Sequence, residues 1–149
     1  MKTVKIDIST CNDNLQDFDY LFSLWEQVGR SRLDVTFAFP KCQFLRQNAV
    51  AFLGGLARLI EHNSGIVHFD WNSLKPDIRQ NLVKSGFFLA FGGSTSSSGR
   101  GNAIPYREDE QYDEKEISHY LKRRWLANAW IAVSDLLRDK IVSNVVEVL

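Results

Sequence analysis

The chain has 149 residues, enough for one ordinary domain with a real core, and its 44% apolar and 12% aromatic content marks a globular protein rather than a disordered one. Eighteen basic residues balance eighteen acidic ones, so no global field recruits nucleic acid or an anionic membrane. No apolar run approaches the roughly 20 residues that cross a bilayer.

The opening MKTVKIDIST has no long apolar segment of the signal-peptide kind, and its TVKIDI alternates apolar and polar residues as a strand does. DFDYLFSLWEQVG follows, with Phe18, Leu21, Phe22 and Trp25 at helical spacing and Gly29 placed to end the helix. LDVTFAF is β-branched, aromatic and nearly free of charge, which predicts a central strand covered on both faces. Next comes CQFLRQNAVAFLGGLARLI, residues 42–60, a strand-to-helix corner of the kind where α/β sheets carry ligands. Asn48 is a good N-cap for the helix behind it, whose apolar stripe runs through Ala49, Phe52, Leu53, Leu56, Leu59 and Ile60. HNSG stops that helix, IVHFDW reads as another strand, and LKPDIRQNLVKSGF as a helix between Pro76 and Gly86. FFLAF, residues 87–91, reads as one more strand. The alternation predicts a partly parallel α/β sheet of four to five strands with flanking helices.

Residues 92–102, GGSTSSSGRGN, form a Gly/Ser-rich loop. Arg100 invites a phosphate-binding reading, but no Lys-Ser/Thr pair follows and no helix starts there, so a P-loop does not fit. REDEQYDEKE mixes charges ahead of a helix and reads as its solvated start. From Glu114 the composition is helical, divided by Ser134 as an N-cap. Leu137, Ile141, Val145 and Leu149 form a stripe that stops without a capping residue, which leads us to expect that the natural protein continues. The expected organisation is an α/β domain over 1–91, a loop and connector over 92–112, and a helical segment over 113–149.

The middle of the chain resembles the STAS domain family, the anti-sigma-factor-antagonist fold of bacterial signalling. There, a buried strand is followed by a phenylalanine and an aliphatic residue, then Asp-Ser-Ser-Gly, then an amphipathic helix. VTFAFPKCQFLRQNAVAFLGGLARL aligns with that pattern without a gap, Phe44 and Leu45 taking the apolar pair and Arg46, Gln47, Asn48 and Ala49 falling on Asp-Ser-Ser-Gly. The resemblance covers residues 30–90. It implies a mixed STAS-like sheet and a corner that faces a kinase-like partner. Asn48 stands where relatives carry the phosphorylated serine, so the switch is missing, and Arg46 reverses the charge of the family aspartate.

The last residues, SDLLRDKIVSNVVEVL, are similar to the first ATP-site helix of the GHKL, or histidine-kinase-like, ATPases. In that resemblance Glu147 matches the glutamate that acts as a general base, with the metal-binding asparagine beyond Leu149. IPYRE likewise resembles the lead-in of bacterial proteins that fuse a degenerate STAS-like domain to such an ATPase.

Other constellations are bland. His62, His68 and His119 are dispersed without metal spacing. Asp70 ends a strand without a paired acid or nucleophile. Cys11 and Cys42 lack a CxxC or Cys/His pattern and read as reduced structural thiols of a cytoplasmic protein. Lys122, Arg123 and Arg124 lie beside Trp125 and Trp130, which read as packing groups rather than a nucleic-acid stripe.

The expectation is a non-catalytic interaction module with Arg46, Gln47, Asn48 and Phe52 as contact residues and no metal or cofactor of its own. Its partners would be its own C-terminal ATPase domain, a kinase-like protein or a second copy, not nucleic acid or membrane; ATP and Mg would belong to the full-length protein. The alternative is a small enzyme or nucleotide-binding domain using the 92–102 loop.

Overall fold

A computed structural model describes residues 1–94, 105–126 and 134–148. The chain divides into two compact units, Met1–Gly99 and Arg100–Leu149.

In the first unit, β1 (Lys2–Asp7), β2 (Leu33–Ala38) and β3 (Ile66–Phe69) form a wholly parallel sheet in the order β1-β2-β3. Val4 pairs with Val35 and Val35 with Val67; Ile6 pairs with Phe37 and Phe37 with Phe69. Side chains alternate across a strand, so these apolar residues share one face. Between the strands run α1 (Leu15–Val28) and α2 (Gln47–His62). Right-handed crossovers between strands laid down in sequential order place both helices on the same side. That side is the Val35/Phe37 face, where Leu21, Leu24, Val28, Leu53, Leu56 and Ile60 are buried. The covering of β2 on both faces is not observed: Asp34 and Thr36 lie half-buried on the other face, beside exposed Lys5 and His68.

The caps explain the boundaries. Asn14 and Asp17 form a capping box at the start of α1. Gly29 ends it with right-handed geometry, and glycine is required because a Cβ would meet Trp25 Cδ1 at 2.6 Å. After β3, a single 3-10 turn, Trp71–Ser73, leads into α3 (Pro76–Ser85), which opens on Pro76 and closes on Gly86 at φ 86°.

The strand expected at FFLAF is instead α4 (Phe87–Ala90), with Ala90 N–H donating to Gly86 C=O at 3.1 Å. A short apolar run suits either conformation, and the rings decide between them. Helical turns let Phe87 and Phe91 pack on Phe69 at centroid distances of 5.6 and 5.1 Å, while Phe88 packs on Trp71 at 4.7 Å. Such pairs contribute about 0.5–1.5 kcal/mol each beyond burial. Among the described residues the sheet therefore has three strands rather than four to five, and these are parallel rather than mixed.

In the second unit, α5 (Glu114–Tyr120) starts at Asp113, whose carboxylate accepts from the Lys115 and Glu116 amides at 3.0 and 3.1 Å. A π-helical stretch, Leu121–Trp125, continues it. α6 (Asp135–Val148) is capped as expected by Ser134, whose Oγ accepts from Leu137 N–H at 3.3 Å. Its buried face takes in only part of the expected stripe, Ile141. Val142 and Val146 pack with Leu126 against Ile117, Leu121 and Ile141, whereas Leu137 is 47% exposed. Positions 138, 142 and 146 share the four-residue spacing of 137, 141 and 145, so tertiary contact alone selects between neighbouring stripes. Trp130, the Trp125 side chain, Leu149 and most of the 92–102 loop, Arg100 included, lie outside the described residues.

Two glycines give opposite expectations. Gly55 is exposed inside α2 with nothing within 4 Å of an added Cβ, so Gly55→Ala should stabilise by about 0.5–1 kcal/mol. At Gly65 a Cβ would meet the Leu33 carbonyl oxygen and Ile60 Cγ2, both at 2.6 Å, so Gly65→Ala should destabilise by more than that amount. Urea denaturation of the two variants measures both signs.

Candidate functional site

The carboxyl ends of parallel strands are where an α/β unit presents its loops, and here three loops meet. Residues 8–14 leave β1, residues 39–46 leave β2, and residues 70–75 leave β3. Backbone bonds join the first two. Ile8 N–H donates to Ala38 C=O at 2.7 Å, Cys11 N–H to Phe44 C=O at 3.0 Å, and Arg46 N–H to Cys11 C=O at 3.1 Å. The last two form an isolated parallel bridge between Cys11 and Leu45, an extra rung beyond the sheet. Thr10 Oγ1 accepts from Gln43 N–H at 2.8 Å. The third loop joins through Ser73, whose Oγ accepts from Phe39 N–H at 2.8 Å and donates to Asp70 C=O at 2.6 Å. Lys75 Nζ also bonds Gln43 Oε1.

On this frame sits the start of α2. The residue at its N-cap position is Arg46, not Asn48, and Arg46 makes no side-chain cap bond. The Cys11–Arg46 rung explains the earlier start: it holds Arg46 extended at φ −76° and ψ 163°, so the first helical residue is Gln47. Asn48 is thereby already inside the first turn, and its amide reaches outward to Asp13. Asn48 Nδ2 donates to Asp13 Oδ2 at 3.1 Å. Asp13 sits at φ 65°, a left-handed conformation that Asp tolerates better than most residues. Its carboxylate lies beside the electropositive end of a 16-residue helix, where negative charge is favourable.

All four expected contact residues are reachable from solvent: Arg46, Gln47 and Asn48 are exposed and Phe52 is half-buried. Arg46 lies over the Phe44 ring with its Cζ 5.6 Å from the centroid, and Phe44 is itself 45% exposed. One turn along, Phe52 meets Phe22 edge-on at 5.7 Å. Phe22 was expected in the apolar stripe of its helix, but it is 57% exposed. Sequence reasoning therefore missed three members of this surface. Asp13 left a faint signal in the Asn-Asp-Asn run before α1, a run of turn formers. Phe22 and Phe44 left none, because an apolar residue at helical or strand-end spacing reads as core.

Neither thiol at the corner is an activated nucleophile. Cys11 and Cys42 are free and buried. Burial, reinforced by Asp17, Cys42 and Asp13, pushes the Cys11 thiol up to about 11. Burial likewise raises Cys42. Both thiols make weak bonds to backbone oxygens, Cys11 to Ser9 and Cys42 to Phe44. Elsewhere, Asp70 lies 3.9 Å from Lys5, and His68 Nε2 lies 3.6 Å from Asp34 Oδ1. His62 falls in the last turn of α2 and His119 in that of α5. Glu147 is exposed on α6. Among the described residues no group of three or more His, Cys, Asp or Glu side chains could hold a metal ion. Nor is any described helix long and apolar enough to cross a membrane.

Comparison of the chain with family models, curated proteins and solved structures gives no match.

The raised Cys11 thiol sets a pH dependence. Unfolded, the thiol ionises near its ordinary value of 9, whereas folded it holds its proton to about 11. Across that window the unfolded state binds fewer protons, so stability falls as pH rises, while at neutral pH the group contributes no slope. Denaturation midpoints from pH 8 to 11 should drop more steeply in the wild type than in Cys11→Ala.

Proposed function

We propose that the first unit is a non-catalytic docking module of a signalling protein, STAS-like in its corner but without the phosphorylatable serine. The observation that carries this reading is the exposed set Arg46, Gln47 and Asn48 on a corner cross-linked by backbone and side-chain bonds to the neighbouring loop. Preorganised polar groups flanked by exposed aromatic rings lose little entropy on binding. They also match the composition of interface centres, which are rich in arginine and aromatic residues.

In this reading the Asn48–Asp13 pair stands in for the switch. The carboxylate near the start of α2 is covalently permanent, where a phosphoserine would come and go. The contact is therefore constitutive, and control must enter elsewhere in the protein. The partner is a histidine-kinase-like ATPase, either in the same polypeptide or separate, and the module itself holds no cofactor. The raised thiols favour docking over catalysis at the corner.

The test uses the protein from its full natural reading frame. Arg46→Ala with Asn48→Ala should weaken its association, with itself or with a purified kinase-like partner, by about tenfold, which corresponds to about 1.4 kcal/mol. Sedimentation velocity reads the association and circular dichroism checks the fold. Unchanged association with an intact fold would refute the corner as the docking surface.

A further inference from the structure

The outer edge of β3 carries a second, independent feature. Asp70 N–H donates to Phe37 C=O at 2.8 Å, and β2 and β3 pair in parallel with Phe37 opposite Phe69. In a parallel ladder each residue directs its N–H and C=O to the same side, and successive residues alternate. Ile66, His68 and Asp70 therefore face β2, while Val67 and Phe69 turn their N–H and C=O groups away from it. No further strand pairs with β3 among the described residues.

The two edges of the sheet differ. On β1 the outward carbonyl of Asp7 accepts from the Tyr20 hydroxyl at 3.1 Å. Exposed Lys2 and Lys5 guard the rest of that edge, a usual defence of edge strands. On β3 the outward groups open instead into a cleft of about 410 Å³, lined by Glu61, Val67, Phe69, Trp71, Ala90 and Phe91 among others. That volume falls within the range of small-ligand sites. Trp71 stacks on Phe69 at 4.9 Å and 12°, which makes one wall flat and aromatic. Trp71 is half-buried at this rim, and no described residue accepts from its indole N–H, a donor that indoles commonly offer to a partner. Glu61 supplies a carboxylate, one oxygen of which accepts from Arg58 at 2.8 Å.

We propose that this cleft binds a small planar heteroaromatic molecule whose edge carries adjacent hydrogen-bond donor and acceptor atoms, an aminopurine-type base being the simplest case. The donor–acceptor edge pairs with the outward backbone groups of Val67 and Phe69, as a further strand would. The ring lies against the aromatic wall, and the indole N–H and Glu61 offer one more donor and acceptor at the rim. The site is separate from the docking corner and does not depend on it.

The test titrates adenine into the ¹⁵N-labelled 149-residue chain and follows amide shifts, with N6,N6-dimethyladenine as the probe that keeps the ring but loses the donor. Adenine should perturb residues 66–71 and 90–92 in a saturable way, and the dimethyl probe should bind at least tenfold more weakly. Ala90→Phe narrows the cleft and should abolish the shifts. Val67→Pro removes one outward N–H, a change an edge strand tolerates, and should weaken binding about tenfold while the fold, read by circular dichroism, persists. No saturable shifts with adenine, shifts of equal strength with both probes, shifts confined to other residues, or response only to a short extended peptide would each overturn the assignment.

Discussion

The candidate surface depends on two hydrogen bonds made by one buried residue. Cys11 donates its N–H to Phe44 and accepts at its C=O from Arg46, extending the parallel pairing of β1 and β2 one rung past the end of the sheet. A buried backbone group without a partner costs free energy, so the rung ties the loop after β1 to the loop after β2. It also decides where α2 can begin. Because Arg46 is held extended by the rung, the helix starts at Gln47 and the polar run is turned outward. The thiols of Cys11 and Cys42 are fully buried beside this rung, Cys42 Sγ reaching the same Phe44 carbonyl, and serve there as small apolar packing groups.

A second constraint is the order of the strands. Three parallel strands in sequential order send their crossover helices to one side, which concentrates Phe37, Phe39, Phe69, Phe87 and Phe91 in one aromatic core. The opposite face keeps Lys5, Asp34, Thr36 and His68. The same order leaves β3 as an edge. Corner and cleft thus follow from one topology: the corner from the carboxyl ends of β1 and β2, the cleft from the unpaired side of β3.

Much of this was legible in the residues. Alternation placed β1, β-branched and aromatic composition placed β2, Gly29 and HNSG ended α1 and α2, and Pro76 and Gly86 framed α3 because each has a conformational reason to be there. What failed did so where local pattern was degenerate. FFLAF suits a strand as well as a helix until Phe69 and Trp71 offer rings to pack on. Asn48 is a better cap than Arg46 by type, and only the long-range Cys11 bond displaces it. On α6, neighbouring stripes have equal spacing, and the contacts of Leu126 choose Val142 and Val146. The candidate contact residues Arg46, Gln47 and Asn48 were singled out by resemblance and polarity, whereas Asp13 required the fold, being 35 residues away in sequence from its partner.

The central claim is that the corner is a standing contact surface, not a reaction centre. It is tested most directly by photo-crosslinking in the producing cell, with a photoreactive amino acid at Gln47 and, as control, at exposed Gln80 on α3. The account predicts an adduct from position 47 whose partner is a kinase-like ATPase or this polypeptide itself, a yield that falls when Arg46 is replaced by Ala, and none from position 80. Equal labelling from both positions, or a yield indifferent to Arg46, would contradict it.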